Sequence, residues 1–427
     1  MLAEVMISVM VVLLLLGFPM MIPLIAGSFV AFFIYMPIPP EIMVQQMLGG
    51  IRPAALVAVP MFILAADIIT KGHSADRLID MVMRYVGHLR GGLGVTAAAS
   101  CTLFGAVSGS TQATVVAIGS PLRPRMLEAG YKDSFTLALI VNASDIAMLI
   151  PPSIAMIIYG VISGTSIAEL FVAGVGPGLL ILVLFATYCV FYAWRNDIPT
   201  LEKASWSERL TATREALWPL GFPVIVVGGI YGGIFSPTEA AAVCVAYAFI
   251  LEFIIFRSLK WMDLFEIAKS TGLITAVVFI LVGAGNAFSW SISFNQIPQE
   301  ILGGLGLDQA GPTMVLVAIS IAFFIGCMFV DPIVVILVLV PIFAPIVEAA
   351  AIDPVLVGVI ITLQVAIGSA TPPFGCDIFT AIAIFKRPYI DVVKGTPPFV
   401  VMLLGVSVAL ILFPQIALFL PQLAFGE

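Results

Sequence analysis

Long apolar stretches, separated by short polar connections, make up most of this chain. Many of them reach about 18 residues or more, which suits a membrane helix because the hydrocarbon core of a bilayer needs about 20 helical residues. The pattern predicts helices at 5–35, 54–70, 134–159, 170–192, 218–234, 238–256, 271–290, 354–385 and 398–420, and helical hairpins at 93–120 and 312–341. The segment 5–35 is long for one crossing and is predicted to be a single tilted or broken helix.

One part of the pattern occurs twice, at a constant shift of 221 positions. The shift superimposes six Gly and Pro positions without a gap: Gly105 on Gly326, Pro124 on Pro345, Pro151-Pro152 on Pro372-Pro373, Gly174 on Gly395, and Pro177 on Pro398. In each copy, an apolar hairpin with small or polar residues at its tip precedes a long apolar segment that a Pro-Pro pair breaks. Interrupted segments matched between two halves are the sequence feature that points best to the binding site of a secondary transporter.

Basic residues are confined almost entirely to one set of loops. Seventeen of the eighteen lie in the loops 71–90, 123–132, 195–214, 257–269 and 386–394, and only Arg52 lies elsewhere. Because basic loops stay in the cytoplasm, the pattern predicts a cytoplasmic N-terminus and a periplasmic C-terminus. The first hairpin then enters from the cytoplasm and turns at 108–110, whereas the second enters from outside and turns at 329–332. We therefore expect an inverted-topology repeat, with 218–234 as the connector between its halves.

Composition narrows the class of protein. With 61% hydrophobic residues, 10% charged residues and a mean hydropathy of +1.16, the chain is too apolar for a soluble domain. Nucleic acid is not an expected partner, because the sequence has no basic face. The five cysteines lack CxxC spacing, so we expect small apolar packing residues there rather than metal or disulfide sites. The segments 74–88 and 259–269 alternate apolar and charged residues at helical spacing, which fits interfacial helices that brace a scaffold or contact a partner, or plain solvated helices.

The hairpin tips and the Pro-Pro breaks are expected to converge within the membrane, since irregular backbone is tolerated there only inside protein or beside a polar cavity. Free carbonyls at helix ends, together with Ser and Thr hydroxyls, suit a hard cation such as Na⁺. We predict one cation site at Ser108, Ser110, Asn142, Ser144 and Asp145, and a mirror site at Phe329, Asp331, Gly368, Ser369 and Thr371, where apolar residues act through their carbonyls. The predicted substrate-binding residues are Ser110, Pro152, Ser153, Pro373 and Asp377.

Carboxylates inside a membrane are costly and usually functional. For Asp145 the interpretations are a direct cation ligand, a proton acceptor, or a structural hydrogen-bond acceptor at the broken helix. Asp331 precedes a proline and is equally suited to capping the helix that follows. Asp377 follows the second Pro-Pro pair and is predicted to face the substrate, whereas Asp67, near a helix end, fits an interfacial position.

Five motifs resemble the large membrane subunit of tripartite ATP-independent periplasmic (TRAP) transporters. They are FGAVSGSTQATVVAI at 104–118, EAGYK at 128–132, IPPSIAMIIYG at 150–160, SPTEAAA at 236–242 and ATPPFGCDIF at 370–379. The likeness covers essentially the whole chain, and the motifs are specific in combination. It implies an all-α membrane protein of the bacterial inner membrane, in which a hairpin domain moves like an elevator and Na⁺ is the coupling ion, without any further cofactor.

The resemblance also implies partners and site residues. A small four-helix membrane subunit completes the scaffold, and a periplasmic binding protein delivers a small organic anion or zwitterion. Cation ligands in the family cluster at the hairpin tips and Pro-Pro breaks, which correspond to the positions named above. The family commonly has a small residue or Thr where Asp145 stands, so the extra carboxylate is expected to alter ion stoichiometry or coupling. Dicarboxylates, sialic acid and compatible solutes such as ectoine are all open as substrates.

The implied division of the chain has six parts. They are scaffold helices at 1–70, an amphipathic arm at 71–92, transport-domain segments at 93–169 and 312–395, further scaffold helices with the connector and second arm at 170–311, and a C-terminal scaffold helix at 396–427.

Three other functions remain as alternatives. A stand-alone Na⁺/divalent-anion symporter of similar hairpin architecture would need no binding protein. An intramembrane serine protease would use Ser108, but His73 and His88 fall in a cytoplasmic loop, where neither is available to activate it. A channel is disfavoured because two inverted, discontinuous repeats indicate gated alternating access.

Overall fold

The computed structural model describes residues 2–36, 38–304, 306 and 310–426. Regular secondary structure in these ranges is entirely helical. Six of the described helices are long and apolar enough to cross a bilayer, and the number rises to eight if each of two bent pairs forms one span. The predicted all-α membrane fold is therefore confirmed.

The first part of the chain contains a helical hairpin where a single tilted or broken helix was predicted. Its helices are α1 (Leu2–Leu15), α2 (Met21–Val30, continued by a π-helical turn at Ala31–Tyr35), α3 (Glu41–Gly50), α4 (Ala58–Lys71) and α5 (Ser74–Val86). Gly17 adopts a left-handed φ of 82°, and α2 then returns along α1, so that a Cβ on Gly27 would lie 3.3 Å from the Met10 side chain.

This turn also changes where the N-terminus lies. Phe32 stacks on Trp290. Trp290 lies near the end of the helix Trp261–Phe294, and the basic loop 257–269 lies at the beginning of that helix. The hairpin returns residue 2 to the level of Tyr35, since α1 contacts the turn at Ala31–Tyr35. The N-terminus therefore lies at the end opposite the basic loops, and the prediction that it shares their side is wrong. The reason is one additional reversal of the chain.

The first copy of the repeat has the predicted hairpin and broken helix. Its helices are α6 (Gly92–Ser108), α7 (Thr111–Glu128), α8 (Asp133–Ser144), α9 (Ile146–Leu149) and α10 (Ile154–Ser163). The hairpin turns between Ser108 and Thr111 as predicted, although its second arm continues beyond residue 120 to Glu128. The segment 133–149 and α10 meet at an angle of 41° across the Pro-Pro break.

Between the copies lie α11 (Ile167–Arg195), α12 (Trp206–Pro223), α13 (Gly229–Tyr231), α14 (Pro237–Phe249), α15 (Trp261–Phe294) and α16 (Ile297–Gly304). The predicted connector at 218–234 begins earlier, at Trp206, and passes through a π-helical turn at Val224–Gly228. The predicted interfacial segment 259–269 is not a separate helix. From Trp261 onward it forms the first turns of α15, which continues without a proline into the apolar run. The segment 74–88, in contrast, does form a separate helix, α5.

The second copy and the C-terminus comprise α17 (Pro312–Phe329), α18 (Pro332–Ala349), α19 (Pro354–Ser369), α20 (Cys376–Phe385), α21 (Tyr389–Val393), α22 (Pro397–Leu412) and α23 (Gln415–Phe425). The hairpin turns at Val330 and Asp331, as predicted. The unbroken helix predicted at 398–420 is wrong, since α22 and α23 meet at 59°. Pro414 has no N–H for the helical ladder, and its ring clashes with the preceding turn.

Two polar clusters fasten the helices at the basic end. Asp133 receives hydrogen bonds of 2.8 and 2.9 Å from Arg123 and also binds Arg387, which ties α7 and α8 of the first copy to the end of α20. Glu252, fully buried, accepts hydrogen bonds from the His73 amide and the Ser74 hydroxyl. It thereby anchors the start of α5 to the helix that follows α14.

Candidate functional site

Each hairpin tip is attached to the Pro-Pro break of its own copy. Gly109 lies at the first tip with a left-handed φ of 60°, and an added Cβ would lie only 2.0 Å from the Pro152 carbonyl oxygen. At the second tip, the Phe374 amide donates a 3.1 Å hydrogen bond to the Met328 carbonyl. The predicted convergence of tips and breaks is therefore present in both copies.

A buried carboxylate joins the two copies. Thr111, at the first tip, donates a 2.7 Å hydrogen bond to one oxygen of Asp377. The Ser369 hydroxyl lies 2.9 Å from the other oxygen, and all three side chains are buried. Asp377 was predicted to face the substrate, but it is 0% exposed and both of its oxygens are engaged by protein hydroxyls. Asp377 therefore lies at the break, as predicted, and in this conformation it bridges the two copies.

The first predicted cation set lies beside this junction. Ser108, Asn142, Ser144 and Asp145 are buried, and Ser110 is half-buried at the tip. The Asn142 amide donates to the Ala138 carbonyl at 2.8 Å, so its position is fixed by its own helix. Asn142, Ser144 and Asp145 lie at the end of α8, whereas Ser108 and Ser110 lie at the hairpin tip.

Three oxygens of this set have no donor. Among the described residues, nothing donates to the Asn142 Oδ1 or to either carboxylate oxygen of Asp145. A structural hydrogen-bond acceptor would have a donor, so this interpretation of Asp145 receives no support. Buried acceptors that lack protein donors are suited to holding a cation.

The mirror set is less enclosed. Gly368 and Ser369 are buried, and Thr371 is 8% exposed and donates to the Ile367 carbonyl at 2.6 Å. Phe329, in contrast, has a 57% exposed side chain. Asp331 is exposed at the tip and accepts a 2.9 Å hydrogen bond from the Ile333 amide, which confirms the capping role considered for it.

The predicted substrate residues have mainly structural contacts. Ser153 is buried and caps α10 by accepting from the Met156 amide at 3.3 Å, and Pro152 is buried beneath Gly109. The Pro373 carbonyl accepts from the Tyr389 hydroxyl at 3.0 Å. Among the described residues predicted to bind substrate, Ser110 alone lines the cavity at the tips.

That cavity has a volume of about 970 Å³ and separates the hairpin tips from the scaffold. Ser108, Ser110, Gln112, Asp331 and Thr380 line one wall, and α4 and α15 form the other. Thr111, Gln112 and Thr380 were missed by sequence reasoning. Gln112 was recognisable as a polar side chain in an otherwise small and apolar stretch, two positions after Ser110.

Comparison with known proteins identifies the family. The family "Tripartite ATP-independent periplasmic transporter, DctM component" matches residues 7–416. The chain is 74% identical over 420 residues to the ectoine/5-hydroxyectoine TRAP transporter large permease protein UehC of Ruegeria pomeroyi, covering 98% of each protein. It is 71% identical over 423 residues to the ectoine TRAP transporter large permease protein TeaC of Halomonas elongata, covering 99% of each.

A solved structure agrees at the level of the fold. The YdaH transporter of Alcanivorax borkumensis matches 90% of this chain and 88% of its own, with a TM-score of 0.57 and 15% sequence identity. The sequence relatives are transport permeases and not enzymes, so the serine-protease alternative is set aside. The chain belongs to the DctM family and is the large permease component of a TRAP transporter.

Proposed function

We propose that this chain imports ectoine or a closely related zwitterionic solute across the bacterial inner membrane, coupled to Na⁺. The observation that carries the substrate assignment is the similarity to two large permeases named for ectoine, at 74% and 71% identity over almost the whole chain. The matches cover at least 98% of this chain, so they include the segments that form the site.

The unpaired oxygens of Asn142 and Asp145 support Na⁺ as the coupling ion. A fully buried carboxylate without a partner costs several kcal/mol, so it requires a cation or a proton. Hydroxyl, amide, carboxylate and carbonyl oxygens form a hard donor set that suits Na⁺ better than a transition metal. The first site comprises Ser108, Ser110, Asn142, Ser144 and Asp145, and the mirror site comprises Phe329, Asp331, Gly368, Ser369 and Thr371.

The contacts among tips and breaks support movement as one body. Gly109 packs on Pro152, and Thr111 binds Asp377 of the other copy, so the two hairpins and two broken helices shift together against the scaffold. We propose that the segments 93–169 and 312–395 form this moving, inverted-repeat domain. The basic loops lie in the cytoplasm, and the tip cavity runs along α4 toward its basic end, so this conformation faces inward.

The transporter works with two partners in this proposal. A small four-helix membrane subunit completes the scaffold, and a periplasmic binding protein delivers the solute. With the basic loops in the cytoplasm, both termini lie on the periplasmic side.

Reconstitution tests the proposal. Large and small subunits are placed in proteoliposomes, and labelled ectoine is supplied with or without the binding protein and an inward Na⁺ gradient. Uptake is expected only when both are present. Equal uptake in Na⁺-free buffer would refute the coupling, and Na⁺-driven uptake without any binding protein would instead favour a stand-alone symporter.

A substitution then tests the cation site. Asp145→Asn is expected to raise the Na⁺ concentration that gives half-maximal uptake, because it removes the carboxylate charge. Asp197→Asn is the matched control, since this side chain is 91% exposed and lies at the surface beside Arg90. An unchanged Na⁺ dependence in Asp145→Asn would remove Asp145 from the site.

A further inference from the structure

Asp67 faces the tip cavity from the scaffold. It lies on α4, whose residues Ile63, Ala66, Asp67 and Thr70 all line the cavity. Their spacing of three and four positions places them on one side of a helix. The opposite wall carries the hairpin tips, so Asp67 lies across the cavity from the cation and substrate machinery.

The carboxylate is held in place by a second scaffold helix. Thr271, on α15, donates a 2.8 Å hydrogen bond to Asp67 Oδ2. Lys71, one turn further along α4, pairs its ammonium with Glu266 at 3.2 Å. A carboxylate offers about four acceptor positions, so the fixed Asp67 side chain retains capacity to bind a solute.

The charge of the cavity favours a cationic group. Its described lining residues include two carboxylates, Asp67 and Asp331, and no Lys, Arg or His. The nearest base, Lys71, lies outside the lining and pairs with Glu266. A dianion would therefore meet repulsion from the lining, whereas a zwitterion can present its positive end. Asp331 already accepts the Ile333 amide and belongs to the proposed mirror cation site. Asp67 is therefore the lining carboxylate left for the solute.

We propose that Asp67 binds the cationic end of a zwitterionic solute as it leaves the hairpin tips for the cytoplasm. It is a specificity-determining residue on the scaffold that selects zwitterions with a delocalised N–C–N cation over dicarboxylates. A planar amidinium, like a guanidinium, is able to pair with a carboxylate through two parallel hydrogen bonds. This inference rests on the proposed function and adds the residue that recognises the positive charge of the solute.

The test measures binding to the purified complex of large and small subunits by calorimetry in Na⁺ buffer. Ectoine is the zwitterionic probe and succinate the dianionic one. Asp67→Asn is expected to weaken ectoine binding about tenfold, which corresponds to about 1.4 kcal/mol, and to leave succinate binding unchanged or stronger. Asp67→Glu retains the charge and is expected to bind ectoine within about threefold of the unaltered complex, a smaller loss than that of one charge-assisted bond.

Controls separate charge recognition from a structural role. Asp197→Asn removes an exposed acid outside the cavity, with a side chain that is 91% exposed, and should not change either affinity. Unchanged ectoine affinity in Asp67→Asn would overturn the inference, and so would equal losses in Asp67→Asn and Asp67→Glu with a lower melting temperature. Uptake by the unaltered complex is measured in parallel. Absence of uptake would refute the proposed function. Normal uptake together with unchanged ectoine affinity in Asp67→Asn would refute this inference alone.

Discussion

A single methyl group at the first hairpin tip should slow transport about 100-fold. In Gly109→Ala, the new Cβ would lie 2.0 Å from the Pro152 carbonyl oxygen, whereas real Cβ contacts stay above 3.0 Å. The tip and the Pro-Pro break must therefore separate by at least about 1 Å. Site residues need to be held within about 0.5 Å of their working geometry, and a displacement of about 1 Å is able to cost roughly 100-fold in activity.

Gly164→Ala provides a matched control for backbone strain. Gly164 has a left-handed φ of 74°, close to the 60° of Gly109, but no atom lies within 4 Å of its added Cβ. Each substitution carries about 1–2 kcal/mol of left-handed strain, and only Gly109→Ala adds the collision. The difference between the two variants therefore isolates the contact between tip and break.

The assay is Na⁺-dependent ectoine uptake in proteoliposomes, with melting temperature measured on the same preparations. Gly109→Ala is expected to retain about 1% of the uptake rate, in line with the 100-fold cost above, and Gly164→Ala to retain most of it. If both variants transport equally well, the close packing of Gly109 on Pro152 does not matter to the site, and the reasoning fails.

Two further predictions concern the clusters at the basic end. Asp133→Asn leaves two guanidinium groups without their carboxylate. It should lower the free energy of unfolding by about 1.5–3 kcal/mol, the range for hydrogen bonds to charged groups, and so lower the melting temperature. The exposed Asp76→Asn, whose side chain is 61% exposed, should change it little, and similar shifts would contradict the argument. In Gly72→Ala the added Cβ would lie 2.1 Å from the Glu252 carboxyl carbon, so α5 should become more accessible to protease. Gly303→Ala meets no atom within 4 Å and should digest like the unaltered protein.

The hairpins and broken helices were predictable because their signals are local. The Pro-Pro pairs interrupt a helix at both sites, and the constant shift between the copies identified them as architecture. Gly17 is an equally good turn residue, yet the hairpin it starts was missed. Its neighbours are apolar, so hydropathy alone gave no polar turn to divide the segment.

The residues of the cavity wall were harder to predict, because they depend on which side of each packed helix faces the cavity. Asp377 pairs with Thr111, which lies 266 positions away in sequence, and nothing near either residue indicates that pairing. Asp67 was predicted to be interfacial because it lies near a helix end. In the structure, α15 and the hairpin tips enclose a cavity beside α4, and Asp67 lines it. The energetic cost of burying a carboxylate in a membrane marks it as important. It does not show whether the carboxylate faces a cavity or another helix.

The hydrogen bond between Thr111 and Asp377 also constrains how the protein is made. The first copy leaves the ribosome and enters the membrane long before residue 377 has been synthesised, so its tip stays incomplete until the second copy arrives. A chain divided within the loop 196–205 should transport only when both fragments are produced in the same cell. The two halves of the chain thus depend on each other, because the first supplies the Thr111 donor and the second supplies the Asp377 acceptor.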